Sequence, residues 1–176
     1  MERNRFDSAV SRYSRRVFTF ASYLLGDPDE AEDITQEVLI KLWRRGGKVD
    51  SDRMGAWLLK VTRNACIDAL RRRRRSAEVI PIRGTIEGRT DHPSPAPSPE
   101  RLAVGSQLGA TILQALNGLS EPARTVVILR EIQGLSYQEI SDVTDIQINT
   151  VRVTLHRARR RLRDSLKEVQ THVANG

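Results

Sequence analysis

The spacing of apolar residues along the chain predicts helices throughout and no strands. Strict alternation of apolar and polar residues, which is typical of strands, is absent, so the predicted fold class is all-α. The first predicted helix ends near Gly26. Its apolar face is formed by Phe6, Val10, Tyr13, Val17, Phe20 and Leu24. A second helix follows, because Asp27 can cap it and Pro28 suits its first position.

The second helix has two different faces. The predicted buried face consists of Ala31, Ile34, Val38 and Leu42. The opposite face carries Asp33, Gln36, Glu37 and Ile40, with Leu39 and Trp43 at its edge. Apolar side chains beside carboxylates indicate a protein partner, and packing under a neighbouring helix of the same chain is an equal alternative for Leu39 and Trp43.

A third helix, predicted from about Ala56, carries a basic stripe. Its inner face contains Leu58, Thr62, Ala65, Cys66 and Ala69. Its outer face contains Lys60, Arg63, Asn64, Ile67, Arg71 and Arg74. Cations beside an asparagine indicate nucleic-acid binding, and the five arginines at residues 71–75 would attract phosphates whatever the base sequence. A solvated helix end that complements the helix dipole is the alternative, and both effects can operate together.

Residues 135–166 have the pattern of a helix-turn-helix. Ser136 and Glu139 form a predicted capping box, and a three-residue turn centred on Asp145 follows the short first helix. The buried stripe of the second helix is Val151, Leu155, Ala158, Leu162 and Leu166. Its other face carries Asn149, Arg152, Val153, His156, Arg157 and Arg160, residue types that contact bases and phosphates in the major groove. A solvated basic helix in a bundle is the alternative.

Composition and charge agree with a nucleic-acid partner. The chain has 176 residues, a formal charge of +7 and a pI near 10.3. No apolar run is long enough to cross a membrane, and the N-terminus lacks the apolar core of a signal peptide, so a cytoplasmic protein without membrane insertion is expected. Cys66 is the only cysteine, which excludes an intrachain disulfide and suggests a small buried side chain. The three histidines are far apart, with no second cysteine at ligand spacing, so a structural zinc site is not expected. The sequence also lacks a nucleotide-binding glycine loop, and no cofactor is expected.

Proline divides the chain into two predicted domains. Five of the seven prolines lie between residues 76 and 99, among Ser, Gly and Thr, which indicates a semi-stiff linker. The expected organisation is a helical domain at residues 1–75, a linker at 76–98 and a second helical domain at 99–172. Nothing in the sequence predicts a homo-oligomer.

With these motifs in place, the chain resembles the extracytoplasmic-function (ECF) sigma factors of bacterial RNA polymerase. DEAEDITQEVLIKLWRR (29–45) resembles the family's polymerase-binding helix, and AWLLKVTRNACIDALRRRRR (56–75) its minus-10 recognition helix. Residues 119–162, which contain the helix-turn-helix, resemble its minus-35 reading domain. The two motifs in this order, separated by a linker, are far more specific than a helix-turn-helix alone.

The resemblance implies a role for each candidate residue. It implies contacts with the largest subunits of core polymerase for Asp33, Gln36, Glu37, Leu39, Ile40 and Trp43. It implies contacts with the opened minus-10 element for Gly47, Lys48, Asp50, Ser51, Lys60, Arg63, Asn64, Ile67, Arg71 and Arg74. It implies contacts with the minus-35 element for Arg124, Ser136, Tyr137, Gln147, Asn149, Thr150, Arg152, Val153, His156 and Arg157. Trp57 is expected in the core.

The chain departs from the family pattern in the helix-turn-helix. The family usually has Ala at the position of Ser141, Gly at that of Asp145, and Pro-x-Gly at residues 147–149. Because Asp and Asn accept left-handed and capping conformations, the fold is expected to survive, and base preference is expected to differ.

The resemblance implies an initiation factor without catalytic residues, which directs polymerase, including its flap, to promoter DNA and assists promoter opening. It also implies control by an anti-sigma factor. Three alternatives compete with this interpretation: a stand-alone helix-turn-helix regulator, a basic RNA-binding adaptor, and a metal-dependent nucleic-acid enzyme. The enzyme's carboxylates would have to include Asp29, Glu32, Asp33 or Glu37.

Overall fold

A computed structural model gives the structure of the chain and describes residues 3–45, 48–79 and 107–174. The predicted minus-10 residue Gly47 and residues 80–98 of the predicted linker lie outside the described residues. All regular structure within the described residues is helical, as the apolar spacing predicts.

The N-terminal half contains three helices, α1 (Arg3–Leu25), α2 (Pro28–Arg45) and α3 (Met54–Val79). Gly26 ends α1 with a left-handed φ of 70°. The Asp27 carboxylate accepts hydrogen bonds from the amides of Asp29 and Glu30 at 3.0 and 3.1 Å, so the predicted cap of α2 is confirmed.

The C-terminal half contains α4 (Gln107–Asn117), α5 (Glu121–Val127), α6 (Tyr137–Thr144) and α7 (Ile148–Ala174). A π-helical segment, Ile128–Ile132, extends α5 without a break. Its wide turn is closed by the Gln133 amide, which donates to the carbonyl of Ile128 at 3.0 Å.

The predicted buried faces of α2 and α3 are confirmed. Every residue predicted on them is buried, including Val38 and Leu42 of α2 and Leu58 of α3. Thr62 is also buried, and its hydroxyl donates to the Leu58 carbonyl at 2.7 Å, which satisfies the polar group inside the helix. Burial raises the pKa of the Cys66 thiol to about 12, so this side chain behaves as a small apolar group.

In α1 the buried face is broader than the predicted one. Val17, Phe20 and Leu24 are buried as expected, whereas Phe6, Val10 and Tyr13 are half-buried. Further residues beside this stripe are buried as well, namely Ala9, Ala21, Ser22 and Leu25. The reason is that α1 packs against α2, α3 and the C-terminal half.

The apolar stripe of α7 is confirmed over its first half only. Val151, Leu155 and Ala158 are buried, and Leu162 is half-buried. Leu166 was predicted to be buried and is 37% exposed. That prediction is wrong because helical spacing fixes which face a residue occupies and does not fix whether a neighbouring element reaches that far along the helix.

The two halves of the described chain pack against each other. Their buried apolar residues form a single contiguous cluster. Arg16 of α1 donates to the Oε1 and the carbonyl oxygen of Gln133 at 3.0 and 3.2 Å, and the Gln133 amide group donates back to the Arg16 carbonyl at 3.3 Å. None of the described helices is both long enough and apolar enough to span a membrane.

Candidate protein and nucleic-acid interfaces

The outer side of α2 presents acidic and apolar side chains to solvent. Asp33, Gln36 and Glu37 are exposed, and Ile40 is 52% exposed. These four residues together with Leu39 and Trp43 are called the acidic-apolar face below. Large apolar side chains beside carboxylates on one exposed helix form a surface suited to a protein partner.

For Leu39 and Trp43 the sequence left two alternatives open, a protein partner or packing under a neighbouring helix of the same chain, and the two residues differ in their outcome. Leu39 is half-buried and packs against the core. Trp43 stays 45% exposed, while its ring meets that of Phe6 edge to face with centroids 5.0 Å apart. The indole therefore has an aromatic partner within the chain and keeps nearly half of its surface exposed.

The basic side chains predicted on α3, called the α3 stripe, are not all open to solvent. Asn64, Arg71 and Arg74 are exposed, and Ile67 is half-buried. Lys60 forms an ion pair with Asp145 at 2.7 Å, and Arg63 lies 3.8 Å from the Glu121 carboxylate. Both acids belong to the C-terminal half, so one end of the stripe is covered by the same chain.

The loop before α3 lies beside this stripe. Lys48, Asp50 and Ser51 are exposed. Arg5 of α1 donates to the Val49 carbonyl at 3.0 Å and to the Ser51 hydroxyl at 3.3 Å, which anchors the loop to α1.

An open cavity of about 810 Å³ lies between the end of α2, the loop and α3. It is lined by Lys41, Arg44, Arg45, Lys48, Val49, Trp57 and Val61. Trp57 was expected in the core and is instead half-buried, with its side chain forming part of this wall. Four cations and one aromatic residue line the same cavity, a combination suited to an unpaired nucleotide because cations bind phosphates and an aromatic face stacks a base.

The sequence analysis did not predict three of the cations that line this cavity, Lys41, Arg44 and Arg45. Arg44 and Arg45 form the basic last turn of α2, directly before a loop that the sequence analysis assigns to nucleic acid, and Lys41 lies one helical turn before Arg45. Helical spacing alone singles out the acidic side of α2 and gives no reason to assign a function to its basic last turn.

The helix-turn-helix has the predicted geometry. The Ser136 hydroxyl accepts from the Glu139 amide at 3.2 Å, and the Ser136 amide donates to the Glu139 carboxylate at 2.7 Å, so the capping box is confirmed. Asp145 adopts the left-handed φ of 58° that the turn was predicted to need. The Ser141 hydroxyl donates to the Ile146 carbonyl at 2.6 Å, which ties α6 to the turn at a position where the resembling family has Ala.

The predicted DNA-reading side of α7 is open to solvent. Gln147, Asn149, Thr150, Arg152, Val153, His156 and Arg157 are all exposed, and this set is called the recognition face below. Val153 is 49% exposed in the middle of the polar set. An apolar side chain in that position suits contact with a thymine methyl group.

Tyr137 connects α6 to the recognition face. Two guanidinium groups lie over its ring, that of Arg130 at 4.9 Å and that of Arg152 at 5.8 Å from the ring centroid. Arg130 also donates to the Leu135 carbonyl at 2.7 Å, so the aromatic ring is held on one side by an anchored cation. Sequence reasoning did not single out Arg130, because its partners lie in two other segments.

Arg124 is engaged by backbone carbonyls. Its guanidinium donates to the carbonyls of Leu24, Leu116, Asn117 and Leu119 at 3.1 to 3.5 Å. Burial lowers the pKa of Arg124, since the charged form loses water. Its assignment to a DNA phosphate stays a prediction, and this geometry speaks against it because the donors already have acceptors.

Ser136 is also committed within the protein. Its amide, which would be the donor to a phosphate at this helix start, already donates to the Glu139 carboxylate. A phosphate would have to displace that carboxylate to bind here.

The acids near the start of α2 do not assemble into a metal centre. Among residues 3–45, 48–79 and 107–174, no group of three or more His, Cys, Asp or Glu side chains could hold a metal ion. The alternative of a metal-dependent enzyme therefore has no cluster to build on in the described part of the chain.

Two family models match the chain, one in each half. Residues 9–76 match sigma-70 region 2, and residues 110–162 match sigma-70 region 4. The chain is 30% identical over 172 residues to the ECF RNA polymerase sigma factor SigW of Bacillus subtilis, which covers 96% of this chain and 92% of SigW. It is 35% identical over 169 residues to the ECF sigma factor SigE of Mycolicibacterium smegmatis, where the match covers 96% of this chain and 64% of SigE.

Solved structures show the same arrangement of helices. The sigma factor RpoE of Bartonella quintana, solved in complex with the anti-sigma factor NepR, matches with a TM-score of 0.71 and 28% identity, over 92% of this chain and 96% of RpoE. CnrH, solved with the cytosolic domain of CnrY, matches with a TM-score of 0.69 at 22% identity, over 95% of this chain and 90% of CnrH, and supports the fold alone.

Proposed function

The chain belongs to the ECF sigma factors of bacterial RNA polymerase, and from that premise we propose which surface binds each partner. The acidic-apolar face of α2 binds core polymerase, the α3 stripe and the adjoining cavity capture the opened minus-10 strand, and the recognition face of α7 reads the minus-35 duplex. One observation carries the proposal: an exposed protein-binding face and an exposed DNA-reading helix lie on one chain.

The polymerase contact rests on the exposed residues of α2. Trp43 and Ile40 supply apolar contact area, and the Asp33 and Glu37 carboxylates beside them favour a basic partner surface. Glu37 pairs with Lys41 at 2.6 Å, but both side chains are about half exposed, so a partner's cation can replace this lysine at little cost.

The minus-10 contact rests on the basic cavity. An unstacked base of the melted strand packs against Trp57, and the cations of α2 and the loop hold the phosphates on either side. Exposed Asn64 supplies a donor and an acceptor near this strand for base discrimination.

The minus-35 contact rests on α7 in the major groove. Arg152 and Asn149 carry side chains able to form bidentate hydrogen bonds with guanine and adenine, respectively. The domain organisation that goes with these tasks is residues 1–75 for polymerase and minus-10 binding, 76–98 as linker, and 99–172 for minus-35 binding.

The proposal includes an anti-sigma factor as a further partner. Its support is the similarity to RpoE, which was solved bound to one. The polymerase, including its flap, performs and organises the chemistry, so this chain needs no catalytic residue or cofactor. Its place of action is the cytoplasm, where promoter and polymerase meet, and it acts as a monomer.

A stand-alone DNA-binding regulator is the weaker alternative. It would account for the recognition face of α7, yet it would leave the exposed Trp43 and Ile40 of α2 without a partner.

The test measures binding of the purified chain to bacterial core polymerase. In the variant Asp33→Arg, Glu37→Arg, two carboxylates at the centre of the face become cations. We expect affinity for polymerase to fall by about thirtyfold or more, since two interface residues each contribute about 1 kcal/mol or more. Fluorescence anisotropy of labelled protein gives the dissociation constants.

The matched control is Asp142→Arg, Asp164→Arg, which makes the same change in net charge at exposed positions of α6 and α7. It should retain wild-type affinity for polymerase. If folded wild-type protein does not bind polymerase, the sigma-factor task fails for this chain; if both double variants lose binding equally, the assignment to α2 fails.

A further inference from the structure

The residues that cover the α3 stripe are acids from the C-terminal half. Asp145, in the turn of the helix-turn-helix, lies 2.7 Å from the Lys60 ammonium. Glu121, at the start of α5, lies 3.8 Å from the Arg63 guanidinium, and both side chains of this second pair are largely shielded from solvent at 16% and 22% exposure. The arrangement in which both pairs are formed is called the closed arrangement.

We propose that the C-terminal half occupies the minus-10 surface in the free chain, and that the melted strand must displace it. This inference rests on the proposed function of the α3 stripe. The segment that occupies the surface is specific, namely the turn between α6 and α7 together with the start of α5.

The chemistry of the contacts supports competition with DNA. A carboxylate on a lysine or arginine supplies the same charge and acceptor oxygens as a strand phosphate. One anionic group therefore excludes the other from Lys60 and from Arg63, and the minus-10 surface is available only when the carboxylates have moved away.

The contact at Arg63 is incomplete, which keeps the closed arrangement reversible. Its Nε is buried and has no hydrogen-bond partner within the described residues. An unsatisfied buried donor costs free energy, so closure at this point stabilises less than a complete ion pair would. A phosphate that reaches the guanidinium with better geometry can compete.

Other contacts hold the halves together without touching the α3 stripe. The reciprocal hydrogen bonds between Arg16 and Gln133 are part-buried, and Arg124 of α5 donates to the Leu24 carbonyl of α1. These contacts set the position of the C-terminal half, and they bring Asp145 and Glu121 within reach of α3.

The other two surfaces stay open in the closed arrangement. The acidic residues of α2 and the recognition face of α7 are exposed. Polymerase can therefore bind before the halves separate, and access to the minus-10 strand follows as a later step.

The test removes the two carboxylates without disturbing the turn. The double variant is Asp145→Asn, Glu121→Gln. Asparagine can adopt the left-handed backbone at residue 145. Glutamine can still accept the hydrogen bond that the Thr125 hydroxyl donates to Glu121 at 2.9 Å. Fluorescent labels at Ser11→Cys and Gln114→Cys, both exposed, report the separation of the halves by energy transfer. Cys66 is buried with a raised pKa and stays unlabelled near pH 7.

We expect lower energy transfer in the variant without DNA or polymerase present. We also expect about three- to tenfold tighter binding of a 20-nucleotide single strand of random sequence, as two ion pairs of this exposure allow. The control Asp142→Asn, Asp164→Asn changes the net charge equally at exposed positions, and it should leave the energy transfer unchanged and tighten strand binding less.

Each other outcome overturns a defined part. Unchanged energy transfer in the variant would show that the Arg16, Gln133 and Arg124 contacts hold the halves without the two carboxylates, and it would overturn their role in closure. Lower energy transfer with no more strand binding than in the control would overturn the competition. If neither wild type nor variant bound the strand, the proposed minus-10 task of α3 would fail, and the competition with it, while the energy transfer would still decide whether the two carboxylates help to close the halves.

Discussion

Among single residues, those with local hydrogen-bond partners could be predicted from the sequence. Ser136 and Glu139 form the predicted capping box, and Asp145 has the predicted left-handed backbone. Arg124 could not be assigned in the same way. Its acceptors are backbone carbonyls, one of them 100 residues away in the sequence. Every residue has a backbone carbonyl, so the side-chain sequence does not indicate which carbonyls Arg124 contacts.

The capping box makes the stability of α6 depend on pH. Hydrogen bonds with the backbone and then the side chain of Ser136 lower the pKa of the Glu139 carboxyl below its ordinary 4.5. Its ionised form therefore adds stability that is fully present above pH 4.5 and is lost as the pH falls through the lowered pKa of the folded state.

Glu139→Gln keeps an acceptor for the Ser136 amide and removes the negative charge at the helix start. We expect it to reduce the free energy of unfolding by about 0.3 to 1 kcal/mol at pH 7 and by progressively less at acid pH. Urea unfolding between pH 3 and 7 measures this. A difference from wild type that stays constant over this range would show that the carboxylate charge is not the stabilising group. Gln138→Glu, at a neighbouring exposed position, tests whether any added acid in this turn has the same effect.

Among the elements, helices α2 and α3 could be predicted almost completely, because the apolar period fixes the buried face of a helix that is covered along its length. Apolar spacing does not predict burial where no neighbouring element packs on the helix, as at Leu166 of α7. It also gives no sign of the π-helical segment Ile128–Ile132, whose wide turn depends on tertiary packing around it. Exposure of Lys60 and Arg63 was overestimated because helix period cannot show which distant element lies above a polar face.

The ring of Tyr137 couples α6 to α7, so we expect it to act on DNA reading through Arg152. Tyr137→Leu removes the aromatic face that holds the guanidinium, and discrimination at the base pair read by Arg152 should fall by about three- to tenfold. The measurement compares binding to a selected minus-35 duplex with binding to its single-base variants.

Tyr137→Phe is the matched variant, because it keeps the ring and removes only the hydroxyl. It should retain the discrimination of the wild type. Equal losses in the Phe and Leu variants would instead assign the effect to the hydroxyl group, and a uniform loss across all duplexes would exclude positioning of Arg152.

At the scale of the whole molecule, the sequence predicted two helical halves and left their relative placement open, since a linker rich in proline permits compact and extended arrangements. The contacts that join the halves involve Arg16, Gln133 and Arg124, polar residues that carry no periodic signal. Shared burial of apolar residues completes the junction.

We expect Arg124→Met to destabilise the whole molecule, because it removes the side-chain donor to the carbonyls of Leu24 in one half and of Asn117 and Leu119 in the other. The Leu116 carbonyl keeps the Leu119 amide as a donor. The free energy of unfolding should fall by about 2 to 3 kcal/mol. Urea unfolding followed by tryptophan fluorescence, which reports the N-terminal half through Trp43 and Trp57, measures the change.

Arg124→Lys is the control, since it keeps the charge and lacks the planar fork that serves several acceptors at once. Its stability should lie between those of the wild type and the Met variant. If the Met variant is as stable as the wild type, Arg124 does not join the halves, and its predicted role at a phosphate becomes available again.

The turn at Asp145 has a consequence for how such factors diverge. The resembling family usually has glycine there, and both residues accept the left-handed φ of 58°. An aspartate codon becomes a glycine codon by one base substitution, so a lineage can gain or lose the carboxylate that contacts Lys60 while the turn itself is unchanged. Under the proposed competition, the affinity of the free chain for the minus-10 strand can therefore change independently of the base preference that we propose for the recognition face of α7.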